Sequence, residues 1–179
     1  MPGMNWAALL NSPQQVAAGA AYNTSTTLTD VSPAPQLTLP ANFLGNGSAL
    51  RLTACGTFSN TATPTLLLGF YYGGVAGVAL AAIGATTTTT AATNWPWRIE
   101  ATATVRSNGA TGTIITQGFV DLATSLTAVT RIPLPATALA TVTIDTTAAK
   151  VLSVGAQWGT SSASNTLTCH QFLVESLGY

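Results

Sequence analysis

Hydrophobic and polar residues alternate most regularly between Trp97 and Arg106. Every second position of this range is apolar: Trp97, Ile99, Ala101, Ala103 and Val105. A period of two places the apolar and polar sets on opposite faces of a β-strand. Asn108-Gly109 follows and favours a hairpin, because both residues tolerate a positive φ. We therefore expect Ile114 to Val120 to return as the partner strand.

Similar short patterns predict strands through most of the remaining chain. They cover Leu50–Cys55, Ala128–Ile132, Ala140–Ile144, Lys150–Trp158 and Thr166–Val174. Abundant threonine fits this reading, since β-branched side chains pack well on a pleated, half-buried surface. The threonine run Thr86 to Thr90 is expected to be a loop between sheets. Pro133 and Pro135 are expected to bracket another break, because proline cannot donate within a central ladder.

The segment from Leu66 to Ala85 has no charged residue and is long enough to cross a bilayer. Five glycines interrupt it, and no basic residues flank it. The Tyr71-Tyr72-Gly73-Gly74 cluster is typical of a strand end followed by a turn. We therefore predict two buried strands joined by a glycine turn, and no membrane partner.

Many short strands separated by turn signals predict an all-β protein, an antiparallel β-sandwich whose strand number fits a jelly roll. Residues 1–40 differ, because prolines at 13, 33, 35 and 40 prevent long regular elements. We expect them to form an extended N-terminal arm or an early edge strand, with Leu28 and Val31 as anchors. Such an arm either lies as ordered coil or crosses onto a neighbouring subunit. Residues 41–179 are expected to form the sandwich domain.

Charge is scarce in this chain. Five Lys and Arg balance five Asp and Glu in 179 residues, or 6% charged residues, against about a quarter in an ordinary soluble domain. The surface must therefore consist largely of hydroxyl, methyl and backbone groups. Near zero net charge, proteins lose the repulsion that keeps them apart in solution. We expect a homo-oligomer, and no binding of nucleic acid, because no basic stripe is available.

Groups for catalysis are sparse. The one histidine, His170, follows Cys169 on a predicted strand, and neighbours on a strand point to opposite faces. The five acids lie far apart in sequence, and one His with two distant Cys cannot supply the usual zinc ligands. We expect no enzyme, no cofactor and no metal site. Cys55 and Cys169 are expected to be free buried thiols, although facing strands in an oxidising compartment would allow a disulfide.

Aromatic residues near predicted loops supply the candidate interface. Trp95-Pro96-Trp97 is either a platform for a sugar or partner, or a core Trp97 with Trp95 closing the sandwich edge. Arg98 and Glu100 share the outward face of their strand and are expected to pair along it. The candidate interface residues are Trp95, Trp97, Arg98, Glu100, Tyr71 and Tyr72.

Three stretches, Leu50–Ser59, Thr63–Gly74 and Asn94–Glu100, resemble small β-rich virion proteins of tailed bacteriophages. Among these, the chain is most similar to head decoration, or cement, proteins with a jelly-roll fold. The likeness covers about Leu39 to Tyr179 and is one of general character: a β-rich, Thr- and Gly-rich, charge-poor sequence. It includes no active-site motif whose residues could be transferred. It implies a trimer or similar cluster bound to the outside of an icosahedral shell, which it stabilises against internal DNA pressure.

The expected function is therefore that of a structural virion protein, which decorates the capsid through contacts with the major capsid protein lattice. Its expected location is the capsid surface, after synthesis in the host cytoplasm; the first ten residues contain no Lys or Arg and do not predict a secretory signal. The alternative is a β-sandwich binding module on a tail fibre or baseplate. That module would recognise carbohydrate or another virion protein.

Overall fold

A computed structural model of the protein describes residues 7–10 and 17–177, which form two antiparallel β-sheets. The strands of the larger, seven-stranded sheet are β1 (Ala7–Leu9), β4 (Ala49–Ser59), β8 (Trp95–Ser107), β9 (Gly112–Ser125), β10 (Ala128–Leu134), β11 (Thr141–Ile144) and β13 (Thr166–Leu177). Those of the six-stranded sheet are β2 (Thr29–Asp30), β3 (Thr38–Leu39), β5 (Thr65–Tyr72), β6 (Val78–Ala82), β7 (Thr86–Thr87) and β12 (Lys150–Trp158).

The order in the larger sheet is β1-β13-β4-β8-β9-β10, with β11 also paired to β9. The order in the smaller sheet is β2-β12-β5-β6, with β3 added to β12 and β7 added to β5. Chain neighbours β4 and β5 lie in different sheets, as do β12 and β13. β4 pairs with β13 in one layer and β5 pairs with β12 in the other, so the β4–β5 and β12–β13 connections both cross between the two layers.

The inward faces of the two sheets pack together as one core. The period-two pattern of β8 is confirmed, since its apolar set from Trp97 to Val105 is buried and Arg98 is exposed. Phe172 on β13 stacks on Phe70 of β5 with ring centroids 5.7 Å apart, which joins the two layers directly. The predicted β-sandwich is confirmed, while the jelly-roll subtype stays a prediction.

The uncharged segment from Leu66 to Ala85 forms two strands, as predicted. β5 and β6 pair antiparallel, and the turn between them contains Gly73 and Gly74 at φ angles of 86° and 76°. These angles lie in the left-handed region that glycine adopts without steric cost. No helix in the described ranges is long and apolar enough to cross a membrane.

Residues 17–40 of the N-terminal segment lie along the protein's own sandwich. β2 and β3 extend the smaller sheet at β12, and Tyr22 forms a β-bridge with Leu167. The expected anchor Val31 is buried and its N–H donates to the Val154 carbonyl at 2.9 Å, whereas Leu28 is half-buried. In the described part, this segment covers the β12 edge with backbone hydrogen bonds.

The predicted loop at Thr86 to Thr90 is wrong in part. Thr86 and Thr87 form β7 against β5, and Thr88 is buried. The Thr88 hydroxyl donates to the Pro64 carbonyl and accepts from the Asn60 side-chain amide, each at 2.8 Å. Two partners satisfy the hydroxyl, so its burial carries little penalty.

The break predicted at Pro133 and Pro135 is wrong in part, because it begins only at Pro135. β10 continues through Pro133, which lies opposite Phe119, to the buried Leu134. A proline is tolerated within β10 because β10 is an edge strand, at the end of the strand order of the larger sheet. A proline on an edge strand loses no ladder bond when its nitrogen faces away from the sheet.

Candidate interaction surface

The outward side chains of the larger sheet line up in rows across its strands. One row consists of Gln171 on β13, Cys55 on β4, Arg98 on β8, Asp121 on β9 and Arg131 on β10. The next row consists of Leu173, Thr53, Glu100, Phe119 and Pro133. We call the outward surface of β4, β8, β9, β10 and β13 the arginine face.

Most of the charge of the protein lies on the arginine face. It carries all four arginines and three of the five acids: Arg51, Arg98, Arg106, Arg131, Glu100, Asp121 and Glu175. Lys150, Asp30 and Asp145 lie elsewhere, on or beside other strands. A protein with very few charges thus concentrates them on one side, and its basic groups there are guanidinium groups.

Arg131 is held in a defined position on this face. Its Nε donates to Asp121 Oδ1 and its Nη2 to Asp121 Oδ2, both at 2.8 Å, and its guanidinium carbon lies 3.9 Å from the centroid of the Phe119 ring. The hydrogen bond from Arg131, helped by its charge and that of Arg98, lowers the pKa of Asp121. The same hydrogen bond raises the pKa of Arg131. Fork geometry and ring stacking together order an otherwise flexible side chain.

Two further ion pairs lie on the arginine face. Arg98 pairs with Glu100 along β8, which confirms the predicted pairing, and Arg51 on β4 pairs with Glu175 on β13 at 3.2 Å. Exposed pairs contribute at most about 1 kcal/mol to stability. Their larger effect is to fix the orientation of the arginines.

Apolar side chains are exposed beside these charges. Val129 on β10 is 60% exposed and Leu173 on β13 is 40% exposed. Leu126 extends from the β9–β10 turn, and Leu139 from the loop before β11. Single exposed apolar residues are ordinary on protein surfaces. Here Leu173 and Val129 lie on strands at opposite sides of the arginine face, where each adds apolar area next to charged groups.

Two grooves open on the arginine face, and a β-bulge residue lines each. The first, of about 370 Å³, is lined by Thr102, Thr104, Arg106, Ile115, Gln117 and Leu139. The second, of about 360 Å³, is lined chiefly by Cys55, Pro96, Arg98, Asp121, Val129 and His170. The register shifts at Arg106 in β8 and at His170 in β13. A bulge redirects the side chain of its extra residue. The bulge in β8 brings Arg106, the only arginine of the described ranges without an ion-pair partner, to the first groove. The bulge in β13 brings His170 to the second groove.

Three of the predicted interface residues, Trp97, Tyr71 and Tyr72, are buried within this chain. Trp97 is a core residue whose indole N–H donates to the Thr57 carbonyl at 3.3 Å. The Tyr72 hydroxyl donates to the Asp145 carbonyl at 3.0 Å, and Tyr71 is buried against Gly155. Burial raises the pKa of both tyrosines. A strand of the smaller sheet holds Tyr71 and Tyr72, and both of its faces are covered at that point.

The other three predicted residues remain accessible. Trp95 is half-buried at the start of β8 and packs against the edge of the core. Arg98 and Glu100 lie on the arginine face. The structure therefore brings together the charged part of the predicted interface and separates it from most of the aromatic part.

Cys55 and Cys169 are free thiols with different surroundings. Cys169 is buried, and burial, with a smaller effect from Cys55, raises its pKa to about 12. Cys55 is only half-buried, contrary to expectation, because it faces outward from β4, where its Sγ lies 3.5 Å from Gln171 Oε1. The nearby His170 Nε2 lies 3.1 Å from the Thr57 hydroxyl.

The carboxylates of the described residues are held by hydrogen bonds and ion pairs. Besides the three pairs on the arginine face, Asp30 Oδ2 accepts from Ser153 and from Gln36, and Asp145 accepts from Thr147. Within 7–10 and 17–177, no group of three or more His, Cys, Asp or Glu side chains is arranged to hold a metal ion. The arrangement of the arginine face is suited to binding by hydrogen bonds and apolar contact.

Sequence reasoning missed Asp121, Arg131 and Phe119. A signal for the ion pair exists, because Asp121 and Arg131 are equally distant from Leu126 at the centre of the β9–β10 turn. A hairpin centred on Leu126 places them opposite each other. The stacking of Arg131 on Phe119 follows from the diagonal spacing across the same hairpin.

Comparisons of the chain with protein-family models, with curated proteins and with solved structures found no match. The β-sandwich is therefore established from the strand pairing and core of this chain itself. The resemblance to head decoration proteins of tailed phages stays a prediction.

Proposed function

We propose that this chain is a structural protein of a bacteriophage virion, a decoration or cement protein that binds the outside of the assembled head. It docks through the arginine face onto sister subunits, in a trimer, and onto the lattice of the major capsid protein. The arginine face supports the docking; the identity of the partners rests on the resemblance of the sequence.

The observation that carries the proposal is the concentration of oriented arginines beside exposed apolar groups on one face. Protein interfaces are enriched in arginine and depleted in lysine, and buried arginines are frequent energetic anchors. Arg131 is already fixed by Asp121 and Phe119, so docking loses little side-chain entropy. Val129 and Leu173 add apolar area that association removes from water.

Stabilisation of a capsid then follows from mass action. A protein that binds only the assembled shell shifts the equilibrium toward that shell, as any ligand of a native state does. Many copies on one lattice multiply weak contacts through avidity. The sandwich contributes rigidity, because its two sheets share one packed core.

The alternative, a carbohydrate-binding module of a tail fibre or baseplate, has less support. Sugar recognition by stacking needs exposed aromatic rings, and Tyr71, Tyr72 and Trp97 are buried. Trp95 alone remains partly accessible. No observation favours this function over protein binding.

The proposal is tested by co-sedimentation with head shells assembled from the major capsid protein of the genome that encodes this chain. We expect saturable binding of the native protein, and loss of binding in the double variant Val129→Asp/Arg131→Glu. Lys150→Gln, at a site away from the arginine face, serves as the matched control and is expected to bind normally. Native protein that stays in the supernatant, or a double variant that binds like the native protein, contradicts the proposal.

A further inference from the structure

Arg106 differs from the other arginines of the arginine face. Arg51, Arg98 and Arg131 each have a carboxylate partner. Within the described ranges Arg106 has none, although it lies on the same outward surface. It occupies the bulge of β8 between Val105 and Ser107 and lines the 370 Å³ groove. Its guanidinium is thus an available cation at the side of a formed groove.

The rest of this groove supplies polar and apolar contacts in a defined arrangement. Thr102 and Thr104 precede Arg106 on β8, and Gln117 lies beside them on β9. In the part of the chain that the structure describes, none of these three polar side chains has a hydrogen-bond partner. Ile115 and the exposed Leu139 form the apolar wall. Arg106 is the one charged residue that lines the groove.

The groove follows the direction of β8. Thr102 and Arg106 are four residues apart, which corresponds to about 13 Å along a strand at roughly 3.3 Å per residue. This length fits about four residues of an extended peptide. A small free anion would contact Arg106 but would leave Ile115 and Leu139 uncovered.

We propose that this groove binds an extended segment of a partner protein that carries a Glu or Asp two residues from an aliphatic residue, because side chains at this spacing face the same side of an extended segment. The carboxylate accepts from the Arg106 guanidinium, whose planar donors match a carboxylate in a fork geometry. The hydroxyls of Thr102 and Thr104 and the amide of Gln117 bond to the peptide backbone. The aliphatic residue packs on Ile115 and Leu139. This inference deepens the proposed function, on which it rests, by giving the chemistry of the partner.

The test is a titration of the ¹⁵N-labelled full chain with the capped peptide acetyl-Leu-Glu-Thr-Leu-amide, followed by two-dimensional NMR. The matched neutral peptide has Gln in place of Glu. We expect amide shifts at Thr102, Thr104, Ile115 and Gln117, and weaker binding of the neutral peptide by about fivefold, the upper range for an exposed ion pair. Arg106→Gln should weaken binding of the acidic peptide by a similar factor. Lys150→Gln, on β12 and away from the arginine face, is the control and should leave this binding unchanged; the native-like spectrum of each variant verifies its fold.

Equal binding of the two peptides, no effect of Arg106→Gln, or shifts confined to other residues would overturn the inference. Inorganic phosphate is titrated separately. Phosphate binding at these amides that equals or exceeds peptide binding would identify a general anion site and overturn it as well. The capsid co-sedimentation assay tests the proposed function separately. Specific peptide binding without capsid binding would support the groove and refute the proposed function. Capsid binding that is unaffected by Arg106→Gln would support the proposed function and refute the role of the groove in it.

Discussion

Phe172 and Leu173 are neighbours in sequence on β13. Substitutions at these two positions distinguish the stability of the sandwich from its proposed interaction. Phe172 points inward, is 1% exposed and stacks on Phe70 across the two sheets. Leu173 points outward on the arginine face and is 40% exposed. Because successive strand residues point to opposite faces, one alanine substitution at each position tests one face only.

We expect Phe172→Ala to destabilise the protein strongly. Truncation of a buried Phe costs about 3–5 kcal/mol through lost transfer free energy and the remaining cavity. For a domain of this size, each kcal/mol lowers the melting temperature by about 2–4 °C, so the expected decrease is roughly 6–20 °C. Leu173→Ala should change the free energy of unfolding by no more than about 0.5 kcal/mol, as is usual for surface positions.

Thermal unfolding of both variants, followed by circular dichroism, measures these effects. All proteins are compared at the same low concentration, where self-association contributes least to the melting temperature. Light scattering of the same samples at higher concentration should show weaker association for Leu173→Ala. A Phe172→Ala protein that melts within about 2 °C of the native protein would refute the assignment of the Phe70–Phe172 contact to the core. Equal melting shifts for the two variants would refute the assignment of their faces.

Further predictions concern the ionisable groups. Because the folded-state pKa of Asp121 is depressed, its pairing with Arg131 stabilises the protein above the unfolded-state pKa, about 3.9, and this contribution is lost as the pH falls through the folded-state pKa. Urea unfolding of Arg131→Gln and native protein should therefore show a stability difference at pH 7 that shrinks in acid; a difference independent of pH contradicts the ion pair. For the thiols, alkylation with iodoacetamide at pH 8 followed by mass spectrometry should modify Cys55 well before Cys169, because burial raises the pKa of Cys169 to about 12. Equal modification of both thiols in folded protein would contradict the burial of Cys169.

Much of the fold could be predicted from local patterns. The β8 strand is readable because each inward position from Trp97 to Val105 is apolar, and the bounds of β12 were predicted as Lys150 to Trp158, as the structure has them. The glycine turn after Tyr72 is readable because few other residues adopt its φ angles. Wherever local conformation and burial follow from neighbours in sequence, the prediction succeeds.

Predictions failed where a distant partner decides the outcome. The burial of Thr88 depends on Asn60 and the Pro64 carbonyl, and the tolerance of Pro133 depends on the edge position of β10. Neither dependence is visible in the local pattern. In the candidate site, Arg98 and Glu100 were found because they lie on one strand. The Asp121–Arg131 pair required the register of two strands, which sequence periodicity leaves open.

We propose that the arginine face docks onto protein, in the first instance onto other copies of the chain. The most direct test is the molar mass of the native protein by size-exclusion chromatography with light scattering, at concentrations on the order of tens of micromolar. We expect a multiple of the 18.1 kDa chain mass, with three copies favoured, and a return to one copy in Val129→Asp/Arg131→Glu. A native protein that remains at 18.1 kDa at these concentrations would contradict it.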